Sequence, residues 1–135
     1  MDDASTLHGV TVSGLGKATG FMELVWVRDE LAKKLVLNAY PGTFNVRLTE
    51  AVSLARWCAL IEQPGIAIEP PDSSACVARC YRVLVNDRLS GAIILPHVAD
   101  YPPDQVEVVS AVCVRRELGL ADGDPITLRL VEPTS

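Results

Sequence analysis

Short runs in which apolar and polar residues alternate recur along this 135-residue chain, and turn-forming residues interrupt them at close intervals. A period of two is the mark of a strand with one buried face. Leu7 to Ser13, Phe44 to Leu48, Ile66 to Ile68, Ala75 to Val85, Leu89 to Leu95, Val106 to Val112 and Ile126 to Val131 read as strands, with Phe21 to Leu24 as a further short one. Asn86-Asp87-Arg88 joins two of them into the clearest hairpin. Helical spacing is rarer. Leu24, Val27, Leu31 and Leu35 mark one amphipathic helix, ended by Asn38-Ala39-Tyr40-Pro41-Gly42. Ala51 to Leu60 marks a second, capped by Thr49 and broken at Pro64-Gly65. Val114 to Leu120 is one or two turns more, closed by Gly119 or by Ala121-Asp122-Gly123-Asp124. Strands do not alternate regularly with helices, which argues against a doubly wound parallel sheet. The expected fold is mostly β with inserted α-helices, a small closed or nearly closed barrel, because closure removes exposed sheet edges. The length suits one domain over residues 1–135.

Composition narrows the function classes. The formal net charge is −5 and no basic tail or stripe is visible, which argues against nucleic acid as a partner. Met1-Asp2-Asp3-Ala4-Ser5 lacks the pattern of a signal peptide, and no apolar run could span a bilayer, so the expectation is a cytoplasmic protein without a membrane partner. The 4 cysteines (Cys58, Cys76, Cys80, Cys113) form no Cys-x-x-Cys pair and read as reduced, mostly buried thiols. The histidines are His8 and His97 only, and there is no Gly-x-Ser-x-Gly elbow, so a hydrolase constellation is missing.

Three segments could carry chemistry. The first is Gly14-Leu15-Gly16-Lys17-Ala18-Thr19-Gly20, placed after the first strand. Its glycines allow the backbone to approach a ligand, and its N–H groups could converge on phosphate oxygens. Lys17 would add a charge and Thr19 a hydroxyl. It is neither a Walker A loop nor a Rossmann fingerprint, and on local sequence alone a tight glycine-rich β-turn is the favoured reading. The second is Tyr40-Pro41-Gly42-Thr43-Phe44-Asn45-Val46-Arg47-Leu48. Thr43 and Asn45 share one face of an extended segment, and their neutral oxygens suit Mg²⁺ when phosphates supply the negative charge. Arg47 shares that face and could touch a phosphate. A Pro-Gly turn into an edge strand is the bland alternative. The third runs from Tyr101 through Glu107 to Val114-Arg115-Arg116. Glu107 sits in an apolar alternating run, so its carboxylate either faces water or accepts hydrogen bonds.

Taken together, these segments resemble the archaeal-type CTP-dependent riboflavin kinase family. The matching stretches are Ser13-Gly14-Leu15-Gly16, Tyr40-Pro41-Gly42-Thr43-Phe44-Asn45, Gly91-Ala92-Ile93, Val106-Glu107-Val108-Val109 with Val114-Arg115, and Leu120-Ala121-Asp122-Gly123-Asp124. They occur in the family's order and cover nearly the whole chain. The resemblance implies a six-stranded cradle-loop barrel that converts riboflavin and CTP to FMN and CDP with Mg²⁺. It implies Thr43 and Asn45 as the Mg²⁺ ligands. Leu15, Gly16, Lys17, Ala18, Thr19 and Gly20 would form the nucleotide-phosphate loop, with Val112, Cys113, Val114 and Arg115 as a second nucleotide-contacting segment. Glu107 would serve the flavin end, orienting the acceptor alcohol. Arg47, singled out from its own segment and not by the resemblance, is the second catalytic candidate. The chain departs from the family at Lys17-Ala18-Thr19-Gly20, where Glu-Gly-x-Tyr is usual, and at Ala99-Asp100-Tyr101, where a hydroxyl or polar group is common. A kinase for another small alcohol, and a nucleotide- or flavin-binding regulatory module without turnover, are the alternative readings. A transcription-factor-like swapped-hairpin barrel is a third, which the charge disfavours.

Overall fold

Seven strands and three helices account for the residues described in the computed structural model, which are 5–13, 22–71, 77–97 and 101–131. The order is β1 (Thr6–Val12), α1 (Val25–Leu35), β2 (Phe44–Leu48), α2 (Ala51–Leu60), β3 (Ile66–Ile68), β4 (Ala78–Val85), β5 (Leu89–Pro96), β6 (Gln105–Ser110), α3 (Val114–Leu118) and β7 (Pro125–Leu130). All pairings are antiparallel. The sheet runs β3-β4-β5-β6-β2-β1-β7, and β4 also pairs with β7. That last pairing, Val83↔Leu130 to Val85↔Leu128, closes six strands into a barrel and leaves β3 as an appendage on the first half of β4. The expected closed barrel with inserted helices is thus present.

The alternation in the sequence sorts the strands' side chains into two cores. Leu7, Phe44, Val46, Val83, Val85, Ile93, Val106, Val108, Ile126 and Leu128 fill the barrel interior. Trp57 of α2 joins that cluster and meets Tyr81 edge-on, with ring centroids 5.9 Å apart. The alternate residues of β4, β5 and β6 (Ala78, Cys80, Ala92, Ile94, Val109) face outward. There α1 covers them with Val27, Leu31 and Leu35. Backbones approach closely where side chains would obstruct: a Cβ on Gly91 would stand 2.7 Å from the Val109 carbonyl oxygen. The β4–β5 hairpin turns through Asn86 and Asp87, both at positive φ, and Arg88 N–H donates to Val85 O at 2.9 Å, a type I′ turn matched to strand twist.

Local differences from the sequence expectations have physical causes. Thr49 does not cap α2: the helix starts one residue later, with Glu50 as N-cap and no side-chain cap hydrogen bond, and the Thr49 N–H pairs with His8 O at 3.4 Å. Met22 to Leu24 form no strand, and Met22 is buried beside α1 instead. β6 stops at Ser110, two residues short of the expected end, where Ser110 O accepts from Tyr40 N–H at 2.7 Å. Cys58 lies on the exposed side of α2, while Cys80 is buried; Ala75, Cys76 and Phe21 fall outside the described residues.

Helix α1 ends with Val36 in the left-handed region (φ 54°), and Leu37 N–H returns to Leu31 O at 3.1 Å. A β-branched residue is strained in that conformation, and Val36 is 87% exposed, so it recovers little by burial. Val36→Gly is therefore expected to stabilise the fold by about 1 kcal/mol in urea denaturation.

Candidate functional site

Strand register gathers distant segments at one end of the barrel. Val12, the last residue of β1, pairs with Asn45 near the start of β2, and Asn45 pairs with Glu107 in β6. The same end therefore holds the exit from β1, the Tyr40–Thr43 turn and the exit from β6. Gly42 makes that turn possible, since its φ of 96° suits the third position of a type II turn with Pro41 before it.

Thr43, Asn45 and Glu107 meet through their side chains. Thr43 Oγ1 donates to Glu107 Oε1 at 2.9 Å and lies 3.4 Å from Asn45 Oδ1. Glu107 is 0% exposed, although it belongs to the outward-facing set of β6 residues. Its second oxygen, Oε2, accepts from Tyr101 OH at 2.9 Å. Burial of Tyr101, followed by the charge of Glu107 and the hydrogen bond to it, pushes the phenol far above its usual range, so it stays a donor at physiological pH.

Beside this cluster lies a cleft of about 100 Å³, with Thr43 and Phe44 on one wall and Val112, Cys113, Val114 and Arg115 on the other. Tyr40 and Arg116 bracket its rim: the guanidinium donates to Tyr40 OH at 3.1 Å and sits 5.9 Å from the ring centroid. The Arg116 backbone amide, helped by its guanidinium, holds the Cys113 thiol below its ordinary pKa. Arg115 turns toward β1. Its guanidinium donates to Val12 O at 3.1 Å, to Ser13 Oγ at 3.0 Å, and to the Asp122 carboxylate. Ser13 Oγ also donates to Asp122 Oδ1 at 2.7 Å. The 121–124 turn clamps the same strand end, because Thr11 N–H donates to Asp124 O and Gly123 N–H to Thr11 O, each at 2.8 Å. Arg115, Ser13 and Asp122 thus anchor the point where the chain leaves β1 for the glycine-rich segment.

A family model named for CTP-dependent riboflavin kinases, and described as Domain of unknown function DUF120, matches residues 11–130. The chain belongs to the CTP-dependent riboflavin kinase family. It is 35% identical over 127 residues to the riboflavin kinase of Methanocella arvoryzae, covering 94% of this chain and 58% of that protein. It is 32% identical over 135 residues to the riboflavin kinase of Archaeoglobus fulgidus, covering 96% and 57%. It is 31% identical over 135 residues to the riboflavin kinase of Aeropyrum pernix, covering 97% of this chain and 99% of that protein. The chain therefore spans a little over half the length of the first two relatives and nearly all of the third.

Of the residues singled out in the sequence of this family member, Thr43, Asn45 and Glu107 stand together, and Val112 to Arg115 line the adjoining cleft. Arg47 is exposed on the outer face of β2, two positions beyond Asn45 and paired with Gln105, and it does not line the cleft. Leu15, Gly16, Lys17, Ala18, Thr19 and Gly20 lie outside the described residues, as do Ala99 and Asp100. The sequence reading did not single out Tyr101 as a site residue. The available signal was a large hydroxyl-bearing residue six positions before a carboxylate in an apolar strand.

The Arg115 guanidinium first, and then the Ser13 hydroxyl, hold the Asp122 carboxyl below its ordinary value of 3.8. A lowered folded-state pKa favours the ionised form, so this anchor is present above the ordinary value and is lost as pH falls through the lowered one. An NMR titration of Asp122 is expected to show a midpoint below 3.8 that returns toward that value in Arg115→Ala.

Proposed function

We propose that this chain transfers the γ-phosphoryl group of CTP to the primary alcohol of the ribityl chain of riboflavin, giving FMN and CDP. The observation that carries the reading is the match to the Aeropyrum riboflavin kinase, which this chain covers almost end to end. The site's geometry supports it. A cleft bounded by the two segments expected to touch nucleotide and cation adjoins a cluster of oxygen donors.

The donor set fits Mg²⁺ held jointly with phosphates. Among the described residues no group of three or more His, Cys, Asp or Glu could hold a metal alone. Thr43 Oγ1 and Asn45 Oδ1 are 3.4 Å apart. Neighbouring oxygens around an octahedral Mg²⁺ with bonds of about 2.1 Å lie roughly 2.9 Å apart, so a small inward shift suffices. We assign Thr43 and Asn45 as these ligands. Bound there, Mg²⁺ supplies charge stabilisation to the transferring phosphoryl group.

The chain's own residues then work by positioning. The cleft between the Tyr40–Phe44 turn and Val112–Arg115 holds the nucleotide, and Leu15 to Gly20 supplies backbone N–H groups to its phosphates. Arg115 contributes indirectly, by securing the strand end from which that loop departs. Arg47, exposed on the outer face of β2 and outside the cleft, has no step in this mechanism. Glu107 stands at the acceptor side of this cluster and fixes the Thr43 and Tyr101 side chains, both of whose hydroxyls donate to it. The ribityl oxygen forms the new bond to the γ-phosphorus, the bond from that phosphorus to the β,γ-bridging oxygen breaks, CDP leaves with that oxygen, and the hydroxyl proton passes to solvent. We place the reaction in the cytoplasm, where its nucleotide donor is available.

Incubation with riboflavin, Mg²⁺ and either CTP or ATP, with chromatographic separation of products, tests the reading. FMN is expected with CTP. Folded protein that yields no FMN while CTP still raises its melting temperature would reduce the chain to a binding module. Thr43→Val and Asn45→Ala are each expected to slow FMN formation at least about a hundredfold; Asn45→Ala should leave the melting temperature nearly unchanged, whereas Thr43→Val should lower it, because it strips the buried Glu107 Oε1 of its donor.

A further inference from the structure

A fully buried carboxylate is costly to hold in a sheet unless hydrogen bonds offset its lost hydration, and here a hydroxyl donates to each oxygen. Glu107 accepts from Thr43 on Oε1 and from Tyr101 on Oε2, each at 2.9 Å. A threonine hydroxyl has one proton and two lone pairs. Glu107 Oε1 is both nearer than Asn45 Oδ1, at 2.9 Å against 3.4 Å, and the stronger acceptor, so it takes that proton. Thr43 Oγ1 keeps its two lone pairs for another partner, and Asn45 Oδ1 stands 3.4 Å away.

We infer that Glu107 and Tyr101 are positioning residues for a divalent cation at Thr43 and Asn45. Glu107 orients the Thr43 hydroxyl and sets a negative charge behind two neutral ligands, and Tyr101 holds Glu107 in place. This rests on the cation site proposed above. Neither residue is a ligand: one is covered by two hydroxyl groups, and the other spends its proton on the first. Outer partners of this kind change metal affinity by about tenfold to a hundredfold when removed. Register explains why the pair can act at all, since Asn45 and Glu107 are direct cross-strand neighbours and Thr43 lies just before β2 begins.

The test uses Mn²⁺ as the cation with CDP present, and reads free Mn²⁺ by electron paramagnetic resonance. Tyr101→Phe keeps the ring and removes only the hydroxyl, while Glu107→Gln keeps an oxygen for Thr43 and removes the charge. Each is expected to raise the Mn²⁺ dissociation constant about tenfold. CDP binding without metal should stay unchanged, which a general loss of structure would not spare. Should Glu107→Gln fail to fold, Tyr101→Phe decides alone. Unchanged Mn²⁺ affinity in a folded variant, when the parent protein binds Mn²⁺ with CDP, overturns this inference and leaves the proposed function standing. No Mn²⁺ binding by the parent protein removes both.

Discussion

The antiparallel pairing of β2 with β6 sets Asn45 opposite Glu107 and Phe44 opposite Val108. Because side chains alternate along a strand, that single register decides two things together. It directs Phe44, Val46, Val106 and Val108 into the barrel interior and leaves Asn45 and Glu107 side by side on the outer face. A slip by one residue would bury the polar pair in the apolar interior and expose the aromatic ring. The apolar core and the oxygen cluster therefore enforce the same alignment.

Closure of the barrel turns this local pairing into a site. With β7 joined to β1 on one edge and β4 on the other, the six strands have no free ladder edge to splay. The end of β1 is held beside the start of β2, and the 121–124 turn and Arg115 pin it there. Helix α2 packs through Ser53 and Arg56 against the other half of β1, where Ser53 Oγ accepts from His8 N–H at 2.8 Å and Arg56 donates to Thr6 O at 2.8 Å. The two ends of the barrel are thus used differently: one is sealed by a helix, and the other carries the cleft.

Much of this was legible in the sequence because the signals were periodic. Alternation in Phe44 to Leu48 placed Thr43 and Asn45 on one face, and the Asn86-Asp87 pair announced its hairpin. The turn motif Pro41-Gly42 was equally explicit, since only glycine accepts its φ without strain. The environment of Glu107 was not legible. Its apolar flanks were compatible with a solvated carboxylate, whereas in the fold it is buried and accepts from a tyrosine of the preceding loop and from a threonine 64 positions away. Long-range hydrogen bonds leave no periodic trace. The same holds for Arg115, whose partners Val12 and Ser13 lie more than 100 positions distant. Thr49 was misread as a cap because its residue type fits, whereas the chain stays extended through Glu50, which is the N-cap.

The central claim is that the strand end bearing Thr43, Asn45 and Glu107 is where a metal–nucleotide complex sits. Paramagnetic broadening of backbone amide resonances by Mn²⁺ with CDP locates such a complex directly, because the effect falls off steeply with distance from the ion. Strongest broadening at Thr43 to Asn45, weakening through Glu107 and Val112 to Arg115, is the predicted pattern. Broadening centred on Glu30 of α1 and Glu69 after β3, the acidic pair around Lys34, or spread evenly over the acidic surface, would contradict this placement.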